Sequence, residues 1–432
     1  MNDIAAISPS TEPSTSKNYD LPSDDDTSEG GYGWIVTVSV AVVNAHSWGI
    51  SAAYSVFLAY YLQEDTFPNT SALMYATVGS LSIGITMLFS PFITLMVRLL
   101  GTRLTMLIGA ILQTISLVCA SFSTKIWHLF LSQGLIFGLG MGLLFLPSYG
   151  IISHWFRKRR ALANGIAIAG AGLGGLTYSL AVESIIRNIS LEWAYRTLAI
   201  VSAVANIVCT SLIKFPNGTI QAHQLALDTS LLRRGDYLLL LSFGALSMLG
   251  YFILIFTLAN YANVIGLDSS QASMVPALFM LGQAIGRPGI GWLSDRLGRL
   301  NTTCIMTLIT GILILTVWTS AKSFGVLAFF ALTVGLSAGV FWVNIAPVLV
   351  EVLGLKNLAS ALSVLWVAMA VPSTFSAPIA LLIYSGTGSY FGAQLFTGIA
   401  FISASLCMLI MRQWQIARYK RNNEGNSIST RV

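Results

Sequence analysis

The chain alternates between long apolar runs and short polar segments. Twelve apolar runs lie near residues 34–62, 72–97, 104–122, 127–153, 161–182, 195–213, 237–262, 271–293, 303–320, 324–353, 358–383 and 391–411. An α-helix needs about 20 predominantly apolar residues to cross the ~30 Å hydrocarbon core of a bilayer. The pattern therefore predicts an all-α integral membrane protein with twelve transmembrane helices.

The longest internal polar segment, residues 214–236, lies between the sixth and the seventh apolar run. This layout predicts two six-helix halves, 31–213 and 237–411, around a central pathway, as in transporters built from repeats. Residues 1–30 are rich in Ser, Thr and Asp and lack the apolar content to fold, so we expect a disordered tail. Residues 412–432 form a second, basic tail.

Composition excludes a soluble enzyme. Hydrophobic residues make up 55% of the chain and charged residues only 9%, whereas about 25% charged is usual. The predicted spans contain no Ser/His/Asp set, zinc-type histidine pair or paired carboxylates, so we expect no enzyme activity, metal or cofactor. The net charge of +6 comes from basic residues in short connections, which does not indicate nucleic-acid binding. The expected partners are a small-molecule substrate and the lipid bilayer; the sequence identifies no partner protein.

Most of the 23 Lys and Arg residues fall in the two tails and in alternate connections that share one side of the membrane. Basic residues accumulate on the cytoplasmic side of membrane proteins, so we expect both termini to be cytoplasmic. The plasma membrane is the first expectation for location, and the vacuolar or another internal membrane is the alternative. Asn69 and Asn188 match glycosylation sequons on the predicted outer side.

Arg287 is a basic residue placed deep inside a predicted span. Such a cation costs roughly 2.5–3.5 kcal/mol on insertion scales and usually faces a cavity or a partner. The span ends in a polar turn with the residues Gly291, Asp295, Arg296, Gly298 and Arg299. This pattern resembles the loop signature of the major facilitator superfamily of transporters. We expect Asp295 to contact either a neighbouring helix end or an arginine.

Two further motifs narrow the resemblance. The first opens the first span with Gly30, Gly31, Gly33 and Trp34. The second runs from His154 through the four cations Arg157, Lys158, Arg159 and Arg160 to the glycines Gly165, Gly170 and Gly174. Together they resemble the monocarboxylate transporter family of that superfamily over residues 29–411. The resemblance implies transport of small organic substrates, commonly monocarboxylates with a proton. The fungal branch of this family includes a riboflavin transporter, and the short loops here resemble that branch.

The chain departs from the proton-coupled members of that family at two positions. By alignment with the family motifs, Ala52 stands where those members have a lysine, and Gln283 stands where they have an aspartate. No Asp or Glu lies near the middle of a predicted span, although proton relays usually need one. Facilitated diffusion is therefore the first expectation. Proton symport through His46 is the alternative, and a non-transporting nutrient sensor, disfavoured by the short tails, is an alternative of another class.

Arg287 is the strongest candidate for substrate contact, through a carboxylate or carbonyl of the substrate. Its alternative role is that of a structural cation bonded to backbone carbonyls. The other candidates are polar or aromatic residues in pathway-type spans: Gln283, His46, Trp48, Tyr54, Tyr251, Trp342, Asn344 and Trp366. Asn344 has the alternative of bonding to another helix. A site of this composition suits a planar heterocycle such as a flavin and equally an aromatic or keto acid.

Overall fold

The computed structural model describes residues 30–64, 66–68, 70–216 and 227–429, and within these ranges the regular structure is entirely helical. The α-helices are α1 (Tyr32–Glu64), α2 (Ala72–Leu88), α3 (Ser90–Leu100), α4 (Thr102–Ala120), α5 (Ile126–Leu129), α6 (Phe137–Trp155), α7 (Arg160–Asn188), α8 (Leu191–Leu212), α9 (Gly235–Val264), α10 (Ser269–Leu297), α11 (Arg299–Leu313), α12 (Phe324–Ala338), α13 (Val340–Leu353), α14 (Leu358–Thr387) and α15 (Phe391–Ser429). Two π-helical stretches, Phe130–Ile136 and Ile314–Trp318, join α5 to α6 and extend α11. Short 3₁₀ helices cover Thr229–Arg233 and Leu355–Asn357.

Within the described residues, ten helical segments are long and apolar enough to cross a membrane, and the bent pair α2 and α3 makes an eleventh. The two helices of that pair meet at 52°, next to Phe89 and the proline that opens α3. Helix α10 is not among these segments, although the sequence predicts a span at residues 271–293. It has 29 residues, about 44 Å at 1.5 Å per residue, but its hydropathy is lowered by Arg287 and the polar turn at its end.

One end of the bundle, here called the termini face, carries the start of α1, the ends of α6 and α8, and the turn after α10. The opposite end is called the distal face. Gly101 and Gly298 form the turns α3–α4 and α10–α11 on the termini face with φ of 83° and 94°, in the left-handed region that favours glycine. The polar turn predicted after Gly291 is therefore present, and a turn of the same kind follows α3.

The two halves contact each other mainly through α7 with α10 and through α2 and α3 with α14. Within the first half, α7 also lies unusually close to α1. A Cβ atom at Gly174 would lie 2.6 Å from the Cα of Ala45, so only glycine allows this distance. Helix α7 is therefore the element through which α1 and α10 are held together.

The structure describes the two predicted tails to different extents. Residues 1–29 of the predicted N-terminal tail lie outside the described residues, as do residues 217–226 of the predicted linker and the sequon residue Asn69. At the other end, α15 does not stop near residue 411 but continues to Ser429. Its extension contacts the start of α9: Arg418 lies 3.9 Å from the Asp236 carboxylate, which also forms an ion pair with Arg234 at 2.6 Å.

Candidate functional site

The Arg287 side chain points into the protein, where it is 3% exposed. Its Nη1 donates to the carbonyl oxygen of Ile168 on α7 at 2.6 Å, and its Nη2 donates to the Tyr251 hydroxyl at 2.9 Å and to Oε1 of Gln283. Ile168 belongs to the first half, whereas the other three residues belong to the second. The guanidinium therefore joins the two halves near the middle of the bundle.

Gln283 and Tyr251 complete a polar cluster around this cation. The Tyr251 hydroxyl also donates to Oε1 of Gln283 at 2.7 Å, so this one oxygen accepts two hydrogen bonds. Nε2 of Gln283 and Nε of Arg287 are buried without a hydrogen-bond partner. Because an unpaired buried donor costs about 1–3 kcal/mol, the cluster is set up to receive an additional acceptor.

Aromatic rings from both halves meet beside this cluster. Trp48 on α1 lies 5.3 Å from the Phe145 ring and 5.2 Å from the Trp342 ring, in edge-to-face geometry. Trp342 stacks on Trp366 at 5.7 Å and lies 6.0 Å from Tyr251. These five side chains come from α1, α6, α13, α14 and α9, so the aromatic cluster closes the centre of the bundle from both sides.

Two of the three indoles in this aromatic cluster carry unpaired N–H donors. The Nε1 atoms of Trp48 and Trp342 are buried and have no hydrogen-bond partner. With Nε2 of Gln283 and Nε of Arg287, four buried N–H donors without an acceptor lie in two adjoining clusters, on helices of both halves. These four donors outnumber the unpaired acceptor that lies beside them, Oδ1 of Asn164, and the excess fits a ligand rich in acceptor oxygens or nitrogens, since buried polar groups are normally paired.

Three of the predicted site residues have their contacts elsewhere. The His46 ring packs on Tyr178 at 5.6 Å, and its Nδ1 lies 2.8 Å from the Val42 carbonyl oxygen. Tyr54 donates to the Tyr75 carbonyl oxygen at 3.0 Å, within an aromatic cluster nearer the distal face. Asn344 donates to Thr303 on α11 at 2.9 Å, which is the alternative role that its position allowed.

Tyr149 and Asn164 are central residues that the sequence did not single out. The Tyr149 hydroxyl donates to the Trp342 carbonyl oxygen at 2.6 Å, and Nδ2 of Asn164 donates to the Val343 carbonyl oxygen at 2.7 Å. Both bonds cross from the first half to α13. Asn164 lies within the second motif, four residues after Arg160, so its position in that motif was the available signal.

The polar turn after α10 forms a second contact between the halves, on the termini face. Both carboxylate oxygens of Asp295 accept hydrogen bonds from the first backbone N–H groups of α7, from Ala161 at 3.1 Å and from Leu162 at 2.8 Å. An anion at a helix N-terminus also interacts favourably with the helix dipole. Arg299 lies 3.5 Å from the same carboxylate and donates to the Arg157 carbonyl oxygen at 3.0 Å. Asp295 thus contacts both kinds of partner that the sequence proposed.

Glycines on α7 and α10 allow the backbones of these two helices to approach each other closely. A Cβ atom at Gly165 would meet the carbonyl group of Arg287, and one at Gly291 would lie 2.8 Å from the Ala161 carbonyl carbon. Next to them, Arg296 lies over the Trp292 ring at 4.1 Å. The two helices therefore touch backbone to backbone between the polar turn and Arg287.

The two family motifs lie against each other on the termini face. Gly31 has φ of 63° where α1 begins, next to Gly30, and a Cβ atom at Gly33 would lie 3.1 Å from the Phe156 ring. The Trp34 and Phe156 rings are 4.9 Å apart. Arg160 is buried beneath this contact and donates to the Phe156 carbonyl oxygen at 3.0 Å. The three cations before it, Arg157, Lys158 and Arg159, are exposed.

Within the described residues, no group of three His, Cys, Asp or Glu side chains could hold a metal ion.

The comparisons with known sequences and structures agree on one family. Residues 36–226 and 238–427 match the sequence profile of the Major Facilitator Superfamily. Probable transporter MCH2 of Saccharomyces cerevisiae is 31% identical over 90% of this chain and 84% of its own length. Monocarboxylate transporter 10 of Danio rerio is 26% identical over 94% of this chain and 83% of its own length. Among solved structures, the proton:xylose symporter XylE superposes with a TM-score of 0.71 at 16% identity, covering 88% of this chain and 96% of that one.

Proposed function

Because this chain belongs to the Major Facilitator Superfamily, whose members are secondary transporters rather than enzymes, we propose that it carries a small organic acid, or a solute equally rich in acceptors, by facilitated diffusion. The observation that carries this proposal is the donor excess around Arg287. Four buried N–H donors lack an acceptor, and the groups around the cation are all uncharged. A substrate carboxylate would supply the missing negative charge and an acceptor for the donors around Arg287.

Alternating access requires the two halves to separate on the termini face. The Arg287 to Ile168 bond, the Tyr149 to Trp342 bond and the Asp295 contacts all cross between halves, so opening this face breaks them. We propose that the substrate carboxylate replaces the Ile168 carbonyl as the acceptor for Arg287. A bidentate Arg–carboxylate pair is stronger than a bond to a neutral carbonyl, so binding favours release of the contact with α7.

The substrate class follows from the same residues together with the relatives. A carboxylate would pair with Arg287, and a second acceptor would reach the indole N–H groups of Trp48 and Trp342. A small keto acid satisfies this arrangement, as does a planar acceptor-rich heterocycle of the riboflavin type, for which the aromatic rings offer stacking surfaces. Similarity to proteins named monocarboxylate transporters supports the acid.

The test is uptake of labelled pyruvate, lactate and riboflavin into cells with and without this gene, at two external pH values. We expect uptake of at least one of them, little dependence on pH, and loss of uptake in Arg287→Ala at normal surface abundance. Arg287→Lys keeps the charge but loses the planar guanidinium, which donates hydrogen bonds to Ile168, Tyr251 and Gln283. We therefore expect partial uptake. Full uptake in Arg287→Ala would refute the proposed role of this cation.

Proton symport through His46 is the second candidate, because His46 is a titratable side chain on a central span. Its contacts with Tyr178 and Val42 support a packing role instead. Strong uptake driven by an inward proton gradient, abolished in His46→Ala, would establish symport. Unchanged uptake in that variant supports facilitated diffusion.

We also propose the position of the chain in the cell. The excess of Lys and Arg in connections on the termini face supports cytoplasmic termini, and the plasma membrane is the proposed location, with the vacuolar membrane as the alternative. We propose the halves 31–213 and 237–411, and a family profile that matches in two segments, 36–226 and 238–427, supports a division into two. Reporter tags at each terminus test the orientation, and immunolocalisation tests which membrane contains the protein.

A further inference from the structure

A partly enclosed cavity of about 90 Å³ lies between the two halves, on the termini-face side of the aromatic cluster. Helices α3, α4 and α6 of the first half line one wall, and α14 of the second half lines the other. At ~10–15 Å³ per water, this volume has room for roughly six to nine waters, or for a ligand with a similar number of non-hydrogen atoms. The cavity therefore has the size of a small ring compound.

The lining of the cavity defines the chemistry of its occupant. Two hydroxyls on opposite walls, those of Thr102 and Ser363, are buried without a hydrogen-bond partner, and these residues are 6% and 1% exposed. The His154 imidazole and the Phe215 and Trp366 rings also line it, whereas no Lys, Arg, Asp or Glu of the described residues does. Unpaired buried hydroxyls require a polar partner, and an uncharged wall disfavours an ion.

We propose that this cavity binds a small neutral ring compound that carries one hydroxyl group, such as a phenol. The hydroxyl bonds Thr102 and Ser363, and the ring lies among Phe215, Trp366 and the aliphatic side chains. The walls belong to different halves, so the occupant holds the termini face closed and reduces the maximal rate of transport. The hydroxyl contacts of this site, Thr102 and Ser363, are separate from Arg287, although its ring shares Trp366 with the aromatic cluster.

A side chain can begin at Gly150 without a clash at its Cβ atom, which gives a direct test. A Cβ atom at Gly150 on α6 would have its nearest neighbour, Cδ1 of Leu362, at 3.7 Å, so Gly150→Leu extends a side chain into the cavity. Phenol binding to the purified full-length protein is measured by calorimetry, with Gly150→Leu in the same detergent as the reference. We expect binding to wild type and at least about tenfold weaker binding to Gly150→Leu.

Ser363→Ala is the second variant. Ser90 donates to the backbone carbonyl of Ser363 at 2.7 Å, so the alanine keeps this bond and removes only the hydroxyl. We expect phenol to bind Ser363→Ala about threefold to tenfold more weakly, which corresponds to one lost hydrogen bond. We expect toluene, which lacks the hydroxyl, to bind wild type with a similar loss, and benzoate not to bind.

Equal phenol binding by wild type and Gly150→Leu would overturn the proposal, as would toluene or benzoate binding as tightly as phenol. Displacement of phenol by a transported substrate would also overturn it, because that result places phenol in the central site. In transport assays, phenol should lower the maximal rate of wild type without raising KM and should have no effect on Gly150→Leu. Inhibition that is equal in both proteins would contradict the proposed closure.

Discussion

Replacing Gln283 with Glu should introduce pH dependence into transport that, by the proposal above, lacks it. Oε1 of Gln283 already accepts hydrogen bonds from Tyr251 and Arg287, so a glutamate carboxylate would occupy the same place and form an ion pair with the guanidinium. The substitution also removes the unpaired Nε2 donor. The variant should therefore fold, but its cation is no longer available to an anionic substrate.

The size of the effect follows from this competition. A substrate carboxylate must now displace an ionised carboxylate from Arg287 rather than a neutral amide. A hydrogen bond to a charged group contributes about 1.5–3 kcal/mol, so KM at neutral pH should rise roughly 10- to 150-fold. As pH falls and the glutamate takes up a proton, the competition disappears and KM should return toward the wild-type value.

The assay is initial uptake of the labelled substrate between pH 5.5 and pH 7.5, with surface abundance measured in parallel. Gln283→Met is the matched control, because it has a similar length and does not titrate. We expect its uptake, like that of wild type, to change little with pH. If Gln283→Glu transports as well as wild type at every pH, Arg287 does not bind the substrate, and the reasoning from the donor cluster is wrong.

Two further predictions concern the contact between α7 and α10. Gly291→Ala should abolish transport at normal abundance, because its Cβ would lie 2.8 Å from the Ala161 carbonyl carbon; Gly289→Ala, two residues earlier with no neighbour within 4 Å of its Cβ, should transport normally. Asp295→Asn replaces one acceptor oxygen by a donor opposite a backbone N–H, so it should destabilise the closed termini face by about 1–3 kcal/mol, measured as increased thiol labelling of a cysteine introduced at Ser363. Equal transport by the two glycine variants, or unchanged labelling, would contradict these predictions.

Hydropathy predicted the all-α membrane class, and the resemblance of the polar motifs supplied the family fold. The apolar runs predicted the ten spanning helices and the bent pair α2 and α3; the run at 271–293 also predicted a span at α10, whose apolar character is interrupted by Arg287. The spacing of four residues placed Gln283 and Arg287 on the same side of a helix, and they are hydrogen-bonded in the structure. The partners on other helices, Ile168 and Tyr251, depend on how each helix is rotated in the bundle, and the sequence carries no direct signal for this.

Helix rotation also explains which candidates lie outside the centre. Two residues that are two positions apart differ by about 200° around a helix, so they cannot both face the same cluster. Trp48 faces the centre, whereas His46 faces Tyr178; Trp342 faces the centre, whereas Asn344 faces α11. The sequence nominated both members of each pair. Helical periodicity shows that only one member of each pair can face the centre. The packing of α1 and α13 determines which member it is.

The charge of the site leads to a prediction about the driving force. Arg287 has only uncharged partners, so a monoanion carried without a proton moves one negative charge across the membrane in each cycle. A potential of 100 mV acts on one charge with about 2.3 kcal/mol, which is roughly a 50-fold concentration ratio.

In proteoliposomes with an imposed interior-negative potential of that size, an anionic substrate should equilibrate at about one fiftieth of the outside concentration, and at equal concentrations without the potential. Equal concentrations at both potentials would show that the carried species is neutral, either because a proton accompanies the acid or because the substrate has no charge. If the one-fiftieth ratio is observed, an interior-negative cell would use this carrier to export the anion, because the potential drives negative charge outward.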